Sequence, residues 1–267
     1  MANQVNFCHS IPPALDRGRR IKYNTTVPGE PELIIAFPPA AYKTLFLLKR
    51  GIRIMVRAAV LASGDGSRLQ AILDAVYFNE IPNFELVAVI CPQQGCYAMT
   101  RALSAGIPAF VVDPELFPNS TSHSMAVANK LKDMDIELVI LAGYDCSLGV
   151  VPYQFRNRVI GTYPALYPAF SEEDGDPVEL ALETGLKVTG ATSYFSDGDG
   201  RVRAVIMQRS LEVNPEDTVQ TLTARLMEEC EWPLLNESVS LFCAGRLSVR
   251  GRRVDIKPLP NEEDDSE

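Results

Sequence analysis

Between Val56 and Gly143, four near-unbroken apolar runs are separated by three segments of helical period. The runs are VRAAVLAS (56–63), FELVAVIC (84–91), PAFVVD (108–113) and IELVILAG (136–143). A strand that is apolar on both faces cannot leave one face in water. It needs cover above and below, which a parallel sheet obtains from its own crossover helices. The intervening segments supply that cover. In GSRLQAILDAV, Leu69, Ile72, Leu73 and Val76 fall on one helical face, and YAMTRALSAG and SHSMAVANKLKDM are helical in the same way. The expectation is an α/β domain with a doubly wound, mostly parallel sheet over about Met55–Ile256. Past Gly161 the pattern changes. A helix at PVELALETG leads into KVTGATSYF and AVIMQRSLEV around the turn SDGDGR, which read as an antiparallel addition to the sheet. Two helices, EDTVQTLTARLMEECEW and LLNESVSLFCAG, follow, and the β-like stretch RLSVRGRRVDI closes the domain.

Composition narrows the class of partner. With 46% hydrophobic and 22% charged residues, the 267-residue chain can bury a full core. A formal charge of −9 argues against nucleic acid, whose phosphates call for clustered Lys and Arg. Part of that charge lies in residues 257–267, whose end NEEDDSE reads as a solvated, disordered acidic tail. No run of 18 apolar residues is present to span a membrane. The six cysteines lack metal-site spacing, and the two histidines, His9 and His123, do not complete a zinc site. Scattered reduced thiols of a cytoplasmic protein are therefore expected. Residues 1–54 are irregular and proline-rich. Codons for Lys49, Arg50 and Gly51 can spell a purine-rich ribosome-binding site just before Met55. The expectation is that Met55 is the native start, with a genuine irregular extension as the alternative.

Two stretches carry candidate chemistry. SGDGSRLQA places Ser63, Gly64, Asp65, Gly66 and Ser67 between a strand and a helix. Glycines there allow a sharp turn, and free N–H groups at the helix start favour a phosphate. Asp65 opposes an anion, and Arg68 can offset it. The second stretch, VIGTYPALYP (159–168), is a strand handing over to a Pro-braced loop at the rim of a cleft.

These stretches, with LVILAGY, GLKVTGATSYF and ARLMEECEW…LFCAGRL, occur in the order and spacing of the phosphoribosylglycinamide (glycinamide ribonucleotide) formyltransferase family, which the chain resembles over about residues 55–256. The resemblance implies the formyltransferase fold, a phosphorylated glycinamide ribonucleotide-like substrate and 10-formyltetrahydrofolate as co-substrate, with nothing tightly bound. It also implies a catalytic Asn and His in N-I-H-P-S-L-x-P, and an Asp in D-x-G-P. These groups stabilise the oxyanion of the transferring formyl group and relay a proton. Laid on that pattern, the Asn falls on Gly161, the His on Tyr163 and, counting back from Gln208, the Asp on Arg201. The implied folate-binding segment is Tyr144, Asp145, Cys146 and Leu148, where the family's Met-Arg is Asp145-Cys146. The family's glycine-rich closing loop reads SEEDGD.

A neutral phenol cannot carry the charge of an imidazolium, and an arginine reverses the sign of the aspartate. Formyl transfer is accordingly expected to be lost or nearly lost while the phosphate loop survives. Two alternatives stay open from the residues. One is an active formyltransferase with relocated groups, in which Tyr163 and Arg201 hold the oxyanion and Asp199 is the base. The other is a protein-binding structural paralogue.

Overall fold

The central strand, β1 (Val56–Ala62), shows why its sequence is apolar throughout: Ala58 to Ala62 are fully buried. Ala58, Val60 and Ala62 face one core and Ala59 and Leu61 the other, as the two-residue period of a strand dictates. The computed structural model describes residues 55–173, 175–197 and 201–258. The expected leader, nearly all of the expected tail and the candidate base Asp199 lie outside the described residues.

The sheet has nine described strands in the order β3-β2-β1-β4-β5-β6-β7-β9-β8. Beside β1 lie β2 (Phe84–Cys91) and β4 (Leu138–Ala142), with β3 (Ala109–Val111) beyond β2 and β5 (Val159–Tyr163) beyond β4, all parallel. The helices α1 (Ser67–Tyr77) and α2 (Tyr97–Ser104) cover one face, through Leu69, Ile72, Ala98 and Ala102. On the other face α3 (Ser120–Asp133) and the short α4 (Val151–Gln154) bring Val127, Leu131 and Val151 against Leu61, Ile90 and Val139. The doubly wound arrangement read from the sequence is the arrangement observed. Asn119 caps α3 by accepting from Ser122 N–H at 2.8 Å, so the helix begins two residues before the expected Ser122.

The antiparallel addition is also present. β6 (Val188–Ser196) runs antiparallel to β5, and β7 (Val202–Glu212) runs antiparallel to β6. The end of the domain is a hairpin of β8 (Leu247–Arg250) and β9 (Arg253–Ile256), the latter beside β7. Helix α5 (Pro177–Glu183) packs on this half, with Asp176 accepting from Val178 N–H at its start.

The two expected C-terminal helices are a single helical run. α6 (Val219–Leu226), capped by Thr218, passes through a π-helical turn at Met227–Glu231 into α7 (Trp232–Cys243) without a break. The π turn inserts one residue into the helical period. Cys230 and Glu231, neighbours in sequence, are both buried there.

Candidate functional site

The crevice lies outside the carboxyl ends of β1, β4 and β5, where the strand order reverses and parallel sheets hold their ligands. Two adjoining cavities open there, and they share Arg68 and Gly143. The first, about 220 Å³, is lined by the loop Ser63–Ser67, Arg68 and Asp145. The second, about 310 Å³, is lined by Arg68, Leu141, Tyr144, Leu148, Thr162 and Tyr194, with Cys146 at its wall. The two sequence-predicted stretches therefore meet in one crevice.

The glycine loop is shaped by its neighbours. Gly64 and Gly66 have φ of 61° and 69°, the left-handed region. A Cβ on Gly66 would stand 2.7 Å from the Ala98 Cα, so the loop packs directly on α2. The Asp65 carboxylate accepts from Ser67 N–H at 3.1 Å and so occupies one of the N–H donors of the loop. Ser63 is tied to Asp145: its hydroxyl donates to Asp145 Oδ1 at 2.5 Å, and the Asp145 N–H donates back to Ser63 Oγ at 3.2 Å. The first cavity thus carries two carboxylates, Asp65 and Asp145.

The second cavity has a different character. It is lined by Arg68, Leu141, Gly143, Tyr144, Cys146, Leu148, Thr162 and Tyr194, with no carboxylate among these described residues. Burial above all, and then the nearby Glu231 and Asp197, push the Tyr194 hydroxyl up to about 12. Burial likewise raises Tyr144, so both phenols are neutral hydrogen-bonding groups at physiological pH. Behind the cavity, Glu231 is 1% exposed. Its carboxylate accepts from Arg68 Nε at 3.0 Å, from Arg68 Nη2 and from the Thr162 hydroxyl at 3.2 Å.

At the three positions implied to be catalytic, Gly161 is buried in β5 opposite Tyr194. A Cβ there would meet Leu141 Cδ1 and the Tyr194 Cζ and Oη, all at 3.2 Å. Tyr163 donates its hydroxyl to the Ala169 carbonyl at 3.0 Å, inside the Pro-braced loop. Burial first, and then Glu173 of the acidic loop, raise its pKa. Arg201 is exposed at the edge of the β6–β7 turn, where its carbonyl accepts from Asp197 N–H. Gln208, the anchor of the motif register, donates to the Tyr167 carbonyl and the Thr192 hydroxyl and so braces the loop. Of the implied folate positions, Tyr144, Cys146 and Leu148 line the second cavity and Asp145 the first. Sequence reasoning missed Glu231, Thr162 and Tyr194.

Comparison with known proteins returns one family consistently. A family model described as formyl transferase matches residues 56–237. The trifunctional purine biosynthetic protein adenosine-3 of Drosophila pseudoobscura pseudoobscura is 31% identical over 247 residues, covering 90% of this chain and 17% of that protein. The chain thus spans under a fifth of the trifunctional relative. Against the phosphoribosylglycinamide formyltransferase of Haemophilus influenzae, identity is 29% over 209 residues, 77% of this chain and 97% of the relative. The crystal structure of glycinamide ribonucleotide transformylase 1 from Symbiobacterium toebii superposes with a TM-score of 0.72 at 36% identity, covering 76% of this chain and 95% of that one.

Proposed function

The chain belongs to the formyl transferase family, in its phosphoribosylglycinamide formyltransferase branch of purine biosynthesis, and from that premise we propose that it keeps the ligand cleft but has lost most of the formyl transfer. The unit carrying this function is residues 55–256, acting in the cytoplasm. The observation that carries the reading is Gly161. In the family pattern an Asn side chain occupies this place and donates to the developing oxyanion, whereas here Leu141 and the Tyr194 phenol fill its volume. Tyr163, in the place of the His, spends its one donor on the Ala169 carbonyl. Arg201 supplies a permanent cation on the turn where an aspartate would relay the proton. Losing an oxyanion donor costs about 10²–10³ in rate, and losing general acid–base help about 10²–10⁴. The two losses do not add fully, so transfer slower by at least roughly three orders of magnitude is expected.

The ligand on this reading is a phosphorylated, glycinamide ribonucleotide-like molecule, its phosphate on the backbone N–H groups of Ser63–Ser67. 10-Formyltetrahydrofolate is the co-substrate of whatever transfer remains, along Tyr144, Asp145, Cys146 and Leu148. Asp65 and Asp145 make phosphate binding weak. Asp145→Asn, which removes a charge and keeps a hydrogen-bonding group beside Ser63, should tighten glycinamide ribonucleotide several-fold by calorimetry. Unchanged or weaker binding would place the phosphate elsewhere. The decisive test of function is a coupled assay of the purified chain with glycinamide ribonucleotide and 10-formyltetrahydrofolate. Turnover within tenfold of the Haemophilus relative would overturn the proposal.

A further inference from the structure

Cys91 ends β2 and Cys96 stands at the start of α2, with Pro92, Gln93, Gln94 and Gly95 between them. Both side chains belong to the core that α1 and α2 cover, and their thiols meet. Burial first, and then hydrogen bonding to the Cys96 sulfur, push the Cys91 thiol up to about 12. Among the described residues no third His, Cys, Asp or Glu joins them to hold a metal ion. Two free thiols in contact across a four-residue turn are the reduced form of a possible disulfide.

The two ends of this pair are held unequally. Cys91 is 0% exposed and fixed in the sheet, paired with Val111 and accepting from Val112 N–H at 3.0 Å through its carbonyl. Cys96 is 6% exposed, between the exposed Gln93–Gly95 turn and the exposed Tyr97. Its helix start has no side-chain cap, and Gly95, at φ 79°, has open space beside it. A covalent bond between the sulfurs is far shorter than a contact between thiols. Closing it therefore draws Cys96 toward the strand, and the start of α2 with it.

The start of α2 also holds the glycine loop of the crevice. Ala98 N–H donates to the Gly64 carbonyl at 3.2 Å, and Arg101 Nε donates to the Asp65 carbonyl at 2.8 Å. Gly66 packs against Ala98 so closely that a Cβ would stand 2.7 Å from its Cα. Three successive loop residues thus rest on positions two to five past Cys96. Close packing passes a displacement at one end to the other.

We propose that Cys91 and Cys96 are a thiol–disulfide site, oxidised by a low-molecular-weight disulfide, whose closure loosens the glycine loop Ser63–Ser67. The Cys96 thiolate attacks one sulfur of the small disulfide, forming a mixed disulfide and releasing one small thiolate, which takes up a proton. Cys91 then loses its proton to solvent and attacks the Cys96 sulfur, expelling the second small thiolate, which is protonated in turn. Two electrons pass from the cysteine pair to the small disulfide, which leaves as two thiols. The inference rests on the family reading only in taking Ser63–Ser67 as a ligand loop.

The experiment equilibrates the full chain in glutathione buffers of rising oxidised share and traps the remaining thiols by alkylation. Peptide mapping should find Cys91 joined to Cys96 with a loss of about 2 Da, reversed by dithiothreitol. Hydrogen exchange in the peptide spanning 63–67 should quicken at least threefold in the oxidised chain. Cys96→Ala and Cys96→Ser should each show neither change, while Cys230→Ala, buried in another part of the core, should respond as the parent does. No linkage at the most oxidising ratio, linkage with unaltered exchange at 63–67, or the same quickening in the Cys96 variants would each overturn the proposal. Glycinamide ribonucleotide titrated into the reduced chain judges the family ligand separately. If it does not bind, that ligand falls and the thiol site is still decided by mapping and exchange. If it binds, its affinity should drop at least threefold on oxidation and return on reduction, and equal affinity in both states would overturn the coupling.

Discussion

Arg68→Gln tests how the cleft is held together. Glu231 is 1% exposed and, among the described residues, takes its ionic partner from Arg68 and a further side-chain hydrogen bond from the Thr162 hydroxyl. Removing one member of a buried ion pair usually costs about 3–5 kcal/mol, because the other charge stays buried and unpaired. Since the arginine side chain is 28% accessible, water can follow into the space it leaves, which puts the expected loss near the lower end, about 3 kcal/mol. For a domain of roughly 200 residues, each kcal/mol moves the melting temperature by about 2–4 °C, so a fall of roughly 6–12 °C is expected. Trp232, the chain's single tryptophan, adjoins Glu231 and reports the unfolding by fluorescence in urea. Adding Glu231→Gln should return most of the loss, because the stranded charge is gone; the coupling between the two sites is then read from the double-mutant cycle. A single variant within about 1 kcal/mol of the parent would refute the reasoning, as would a double variant no more stable than the single one.

Two further outcomes follow from the Gly161–Tyr194 pair. Gly161→Asn should destabilise by about 1–3 kcal/mol through overpacking against Leu141 and Tyr194, and Tyr194→His in the same chain should relieve it; a neutral single substitution, by urea midpoint, would show that the site is not filled. The Tyr194 phenol ionises near pH 10 when unfolded and near 12 when folded, so the folded state holds a proton that the unfolded state has lost, and stability falls as pH rises through that window. Tyr194→Phe should remove up to about 3 kcal/mol of that alkaline loss, and identical pH profiles for parent and variant would contradict the buried, proton-holding phenol.

Much of the architecture was legible because it rests on local signals. Strands apolar on both faces demanded helices above and below. The glycine loop announced its turn, and the switch to alternating β-rich runs after Gly161 announced the antiparallel strands. The stretches that carry Ser63–Ser67 and Thr162 were likewise legible, because each stands at the end of an apolar strand. One local reading was altered by tertiary packing: the π turn joined two expected helices and rotated an acidic segment so that Glu231 points inward.

What surrounds those motif positions was decided by the fold alone. Arg68, Thr162 and Glu231 are separated by up to 163 residues in sequence and meet only because α1, β5 and the π turn converge on one crevice. Strand register places Tyr194 opposite Gly161, so that the phenol stands where a side chain at 161 would project. The pair of carboxylates in the first cavity has the same origin. Asp65 and Asp145 lie 80 positions apart, yet both face the first cavity, because β1 and β4 are neighbours and end level, with Ala62 beside Ala142. Sequence sets which groups a chain can bring, since period and turn chemistry act over a few residues. Which charges are paired, buried or left facing a ligand depends on distances between remote segments, and only the packed structure sets those.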